Sequence, residues 1–197
     1  MVRFSLGSAV NHAEILRARF GHDRVVPATR AVEAEKIGPG RFLQRSPVVR
    51  LNMLEAGEPL LGGVAARLGH LGFVWQFIGN EQTLLWSKLC FLGPFALVTS
   101  ASGMNNGEIL AKAEWKQNLL LPLPRPPRWR EQMAQKLTRQ RLAIYDSTPP
   151  GMRSSMQKDL AAGRQLELDA IGGPIVRGGE RYRIDVSTTA DLMAAIQ

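Results

Sequence analysis

A change of period near Ala65 constrains this chain more than any other feature: strand-like alternation precedes it, and helical spacing of apolar residues follows. Before it, Val25 to Thr29 reads as a strand and Ala31 to Lys36 as a second. Gly38, Pro39 and Gly40 make a turn, and Phe42 to Leu51 alternates like a third strand. A short helix over 11–20 comes first, with Ala13, Leu16 and Phe20 on one face and Gly21 suited to its end. After the change, Val64, Leu68 and Leu71 space as a helix face, and Glu81 to about Leu92 makes a second helix interrupted at Gly93 and Pro94. A third, Glu108 to Leu121, is stopped by Pro122, Pro124, Pro126 and Pro127, because proline lacks the amide hydrogen a helix needs. Met133 to Tyr145 is a fourth. Ser154 with Gln157 three residues on has the form of a capping box, so a helix should start there and run to Ile171, closed by Gly172 and Gly173. Arg181 to Asp185 looks extended, and Thr188 to Ile196 is a terminal helix. The expected organisation is an α/β part over residues 1–60 and a mainly α-helical part over 61–197, with a Pro/Arg-rich segment at 122–139.

With 45% hydrophobic and 21% charged residues, the 197-residue chain can bury a substantial core, which excludes wholesale disorder and a collagen-like fold. The single cysteine, Cys90, excludes an internal disulfide and fits a reducing compartment. The longest strongly apolar run, Leu89 to Val98, is far short of the roughly 20 residues that span a bilayer, and Met1 to Val10 has no signal-peptide pattern. The expectation is a cytoplasmic protein with no membrane partner. Of the net charge of +8, five units fall between Pro122 and Tyr145, where six arginines and lysines face only Glu131. A lone Trp129 in that stretch does not supply the interleaved aromatics of a single-strand platform, so nucleic acid is not the expected partner. His12, His22 and His70 lack metal-ligand spacing, and no metal is expected.

Two charges sit among apolar neighbours. On a helix running from Ser154 to Ile171, Glu167 falls within about 40° of Met156, Leu160 and Ile171, so its carboxylate lies along the apolar stripe. Lys88 is flanked by Leu84, Leu85, Phe91, Leu92 and Phe95 at spacings of three, four and seven. A buried charge needs a partner or a polar cavity, and a lysine and a glutamate misplaced in the same way suggest one cleft built for acid–base chemistry. Ser155 lies in the first turn of the Ser154 helix, where an anion is favoured.

Several segments carry a resemblance. Leu85-Trp86-Ser87-Lys88-Leu89, Asn106-Gly107-Glu108-Ile109-Leu110 and Gly172-Gly173-Pro174-Ile175-Val176 resemble ketopantoate reductase (2-dehydropantoate 2-reductase), as above all do Ser154-Ser155-Met156-Gln157-Lys158-Asp159 and Gly163 to Asp169. The resemblance covers residues 1–121 and 140–197, with Asn11 to Arg17 and Ile37 to Gly40 similar to the last part of the family's nucleotide domain. It implies a partial Rossmann half followed by a helical domain of the 6-phosphogluconate-dehydrogenase-like type. The implied reaction is NADPH-dependent reduction of 2-dehydropantoate to pantoate in pantothenate biosynthesis. By motif match, Lys88 is the general acid, Glu167 holds the substrate hydroxyl, Ser155 binds the substrate's polar end and Asn106 lines the site.

The chain also departs from the family. It contains no Gly-x-Gly-x-x-Gly fingerprint, so the cofactor-binding residues are unassigned; Gly7, Ser8 and Ala9 stand where a Gln-Asn-Gly turn is found; and Leu92 and Ala96 stand where some members carry asparagine. The implied partners are a 2-oxo acid and either a second copy or a protein supplying the nucleotide-binding half. The alternative expectation is a non-catalytic remnant or interaction module, with any reductase activity impaired.

Overall fold

Five consecutive buried residues, Val25 to Thr29, anchor the first half of the molecule, because a strand buried on both faces must be covered by other elements on each. The structure is a computed structural model that describes residues 3–6, 12–46, 48–123 and 131–196, with backbone alone for 3–6 and 131–137. Gly7, Ser8 and Ala9, and the part of the Pro/Arg-rich segment from 124 to 130, lie outside the described residues. Two compact units are distinguished, Met1–Lys88 and Leu89–Gln197.

The first unit contains β1 (Arg3–Leu6), α1 (His12–Phe20), β2 (Val25–Ala31), β3 (Ala34–Gly38), β4 (Arg41–Gln44), β5 (Val49–Leu54), α2 (Glu58–Gly69) and β6 (Phe73–Ile78). It also holds the start of α3 (Glu81–Ser102). Four strands form a sheet in the order β1-β2-β5-β6. β1 and β2 run parallel with α1 between them in sequence, β5 and β6 run parallel with α2 between them, and β2 and β5 meet antiparallel. The remaining strands, β3 and β4, form a separate hairpin.

Two expectations change here. Phe42 to Leu51 is not one strand: the amides of Arg45 and Ser46 both donate to the Glu33 carbonyl (2.8 and 3.3 Å), which closes the hairpin and leaves β4 and β5 in different sheets. The helical reading from Ala65 onward also missed β6, where Phe-Val-Trp-Gln-Phe-Ile favours a pleated surface and pairs with β5 over six positions. That pairing carries the first unit well past residue 60. Val26, Ala28 and Met53 form its core, with Leu61, Trp75 and Phe77 packed against them. Gly57 is required at the edge of this core, since an added Cβ would lie 2.5 Å from the Met53 sulfur.

The second unit is helical: the rest of α3, then α4 (Asn106–Ala111), α5 (Ala113–Asn118), α6 (Glu131–Ser147), α7 (Ser155–Ala161), α8 (Leu168–Ile171), α9 (Gly173–Tyr182) and α10 (Ser187–Ile196). Its core joins Phe95, Leu97, Val98, Ile109, Leu119, Tyr145, Met156, Ile171, Leu192 and Ile196. The expected single helix over 108–121 is two, because Lys112 takes an extended conformation between α4 and α5. Residues 131–139 belong to α6, so the helix resumes soon after the prolines.

Contrary to expectation, α3 continues through Gly93 and Pro94 for 22 residues. Pro94 removes the hydrogen bond to the carbonyl of residue 90. At the next carbonyl, Phe91, the Tyr145 hydroxyl donates a 2.9 Å hydrogen bond, and the Tyr145 ring stacks on Phe91 and Phe95 at centroid distances of 4.8 and 6.0 Å. By length and composition α3 could cross a membrane, but 67% of its apolar window is buried inside the protein, as in a core helix.

The helix from Ser154 is the largest correction, for it ends at Ala161 rather than Ile171. Gly163 adopts φ +64°, its amide donates to Leu160 (3.0 Å), and the Arg164 amide donates to Asp159 (2.9 Å). This pair of bonds with a left-handed glycine is a Schellman stop. Gly172 does cap a helix that ends at Ile171, the short α8, but Gly173 already opens α9, which has Pro174 in its first turn and continues through Arg181 and Tyr182, expected to be extended.

Candidate active site

Lys88 is placed by α3. One turn away on one side lie Leu84 and Leu85, both buried; one turn away on the other lie Phe91 and Leu92, half-buried. Lys88 is itself half-buried, so its stem packs along apolar surface while its ammonium must find water or a polar group.

In the second unit, the starts of α4 and α7 are tied together. Asn105 caps α4, accepting from the Glu108 amide (3.0 Å) while the Glu108 carboxylate accepts from the Asn105 amide (2.8 Å). The Asn106 amide donates to Met152 (3.0 Å) and the Gly107 amide to Pro150 (2.8 Å). Ser154 caps α7 by accepting from the Gln157 amide at 3.1 Å. The box expected there is one-sided, because the Gln157 side chain donates instead to the Met104 carbonyl at 3.1 Å, which binds α7 to the turn before α4.

The four residues expected at a site are therefore distributed unequally. Asn106, expected against substrate, is 0% exposed, and its side-chain amide donates to Tyr145 (2.9 Å) and Thr148 (3.1 Å) carbonyls; it holds the 145–152 segment. Ser155 is exposed in the first turn of α7. Glu167 does not lie on a helix with Met156 and Leu160: it is the N-cap residue of α8, exposed, and its carboxylate makes no cap bond. The apolar-stripe argument for Glu167 thus fails at Gly163. Lys88 belongs to the first unit and the other three to the second.

Thr99 was missed. It is wholly buried, and its hydroxyl lies 2.7 Å from the Phe95 carbonyl and 2.7 Å from the Ser154 hydroxyl. The available signal was a hydroxyl pair, Thr99 and Ser100, at the end of an otherwise apolar run.

A dinucleotide needs a helix N-terminus free to receive its diphosphate. Three helices follow described parallel strands, and two of them, α2 and α3, do not fit it. α2 opens on Glu58 just after Glu55, and α3 opens on Glu81, whose carboxylate holds the Arg17 guanidinium in two hydrogen bonds (2.8 and 2.7 Å). Among the described residues no group of His, Cys, Asp or Glu could hold a metal ion.

Residues 129–197 match the family model described as "Ketopantoate reductase PanE/ApbA C terminal". A 2-dehydropantoate 2-reductase of Caulobacter vibrioides is 30% identical over 196 residues, covering 97% of this chain. The chain belongs to the ketopantoate reductase family. It spans 66% of the length of that relative. A ketopantoate reductase from Ralstonia eutropha JMP134 superposes with TM-score 0.73 at 22% identity, over 98% of this chain and 64% of that one. The ternary structure of D-mandelate dehydrogenase with NADH and anilino(oxo)acetate superposes with TM-score 0.79 at 18% identity, over 100% of this chain and 66% of that one. At such identities these two establish the fold: a small sheet region followed by a mainly helical domain, as in the ketopantoate reductases.

Proposed function

We propose that this chain supplies the acid-binding and proton-donating groups for reduction of a 2-oxo acid, in the family's terms 2-dehydropantoate to pantoate for pantothenate biosynthesis. The observation that carries this reading is Lys88, half-buried on α3 with apolar residues a turn away on either side. As the carbonyl carbon is reduced, its oxygen gains negative charge and needs a proton in the transition state, and in this reading the Lys88 ammonium donates it. Ser155, exposed at the start of α7, donates its hydroxyl to the substrate's carboxylate, and Glu167, exposed at the start of α8, accepts from the substrate hydroxyl. Asn106 acts through the fold, as the anchor of the 145–152 segment.

NADPH is the reductant the family reading implies, but the acidic starts of α2 and α3 do not accommodate its diphosphate, and no step is assigned to it on this chain. That same observation favours a second reading, in which the chain binds the acid without reducing it unaided.

Isothermal titration of the whole chain with 2-dehydropantoate tests the proposal. Saturable binding is expected, weakened roughly tenfold or more in Lys88→Ala and in Glu167→Gln, since each removes a charged hydrogen-bonding partner. No binding, or binding unchanged in both variants, refutes it. In a parallel fluorescence titration NADPH should not bind the chain alone; saturable binding would show that a nucleotide site exists beyond the described residues.

A further inference from the structure

Buried hydroxyls join α3 to the start of α7, and Thr99 stands between them. Its hydroxyl oxygen is 2.7 Å from the carbonyl of Phe95, one turn earlier on α3, and 2.7 Å from the Ser154 hydroxyl, which in turn accepts from the Gln157 amide at 3.1 Å. Each hydroxyl has one hydrogen. With Thr99 donating to Phe95, Ser154 donates to Thr99, and the bonds run in one direction from the Gln157 amide to the Phe95 carbonyl. Thr99 is wholly buried and Ser154 nearly so, which removes competition from water and strengthens a chain of this kind.

Ser154 is the last residue before α7 and Ser155 the first residue within it. The cap therefore sets where the Ser155 backbone stands, and Thr99 sets where the cap stands. We infer that Thr99 is a positioning residue for Ser155, fixing through Ser154 the hydroxyl that receives the carboxylate of a 2-oxo acid. This rests on the role given to Ser155 above. Gln157 joins the same region to the turn before α4 through the Met104 carbonyl, so the start of α7 is held at two points, and the Thr99 hydroxyl is the α3 group that meets Ser154 itself.

The test is a double-mutant cycle on the whole chain, read as affinity for 2-dehydropantoate well below the melting temperature. Thr99→Val, which keeps the shape and removes the hydroxyl, should weaken binding about fivefold, the effect of one lost hydrogen bond acting at a distance. Thr99→Ser should restore affinity to within about twofold. Ser155→Ala should weaken binding, and adding Thr99→Val to it should cause no further loss, as required when one residue acts through the other. Ser100→Ala, which removes the neighbouring buried hydroxyl, should leave affinity unchanged. Where Thr99→Val fails to fold, Ser154→Ala interrupts the same chain from its other end and carries the same expectation. Additive losses, or full affinity in Thr99→Val, would overturn the inference while leaving the Ser155 assignment intact. Full affinity in Ser155→Ala would overturn both.

Discussion

Replacing Tyr145 by phenylalanine removes one oxygen atom from a residue that is 0% exposed and keeps its ring stacked on Phe91 and Phe95 of α3. The lost group is the donor of a 2.9 Å hydrogen bond to the Phe91 carbonyl, next to the position where Pro94 interrupts the bonding of α3. Within α3 the Phe91 carbonyl still accepts from the Phe95 amide, so the cost should be the net value of one lost hydrogen bond, about 0.5–1.5 kcal/mol. For a chain of this size each kcal/mol corresponds to roughly 2–4 °C in Tm, so Tyr145→Phe should melt about 2–4 °C lower if the cost is near the middle of that range.

The same hydroxyl predicts a pH signature. Burial, the largest influence, pushes the Tyr145 phenol well above its ordinary value, against the opposing effect of nearby Arg141. The folded state therefore keeps the proton at a pH where the unfolded state has released it. This contribution to stability is complete below pH 10, the unfolded value, and declines as pH rises through the alkaline range by up to about 1.4 kcal/mol per pH unit. Urea denaturation of the wild type and of Tyr145→Phe between pH 8 and 11 should show the variant less stable at pH 8, with the difference narrowing above pH 10. Equal stability at pH 8, or parallel profiles throughout, would refute the reasoning.

Two further substitutions probe the features that shape the two units. Gly163→Ala forces a Cβ into a left-handed conformation where no neighbouring atom lies within 4 Å, so only backbone strain acts; a loss of about 1–2 kcal/mol by urea denaturation is expected, with Gly163→Asn less harmful, and a neutral result would remove the Schellman stop as the reason α7 ends. Arg17→Met breaks the bidentate pair with Glu81, whose side chains are 14% and 28% exposed; a loss of about 1–2 kcal/mol, little changed by 0.5 M salt, is expected by thermal melting, and an unaffected melt would mean the pair contributes nothing.

The elements that could be read from residue order are those whose stops are local. Gly21 ends α1, the Ser147–Gly151 turn ends α6, and Ser154 starts α7, because each signal acts on its own turn of chain. Where a distant residue decides, local reading failed: Tyr145 supports α3 across Pro94 from 51 positions away, and β6 is a strand because β5 offers it an edge. Glu167 is instructive in the opposite sense. Its motif match agreed with the helical wheel, but the wheel assumed an unbroken helix from Ser154 to Ile171 across Gly163, whose freedom at positive φ is what ends the helix. Lys88 needed no such assumption, since its neighbours at three and four are on the same continuous helix.

The passage from one unit to the other takes place inside α3, between Lys88 and Leu89, without any connecting loop. A helix propagates order along its length, since each turn supports the next. Amide exchange along Glu81–Ser102 should consequently show protection that runs unbroken past Lys88 and Leu89. An engineer wishing to express the halves separately would find no slack chain to sever there, only a helix to be broken in mid-turn.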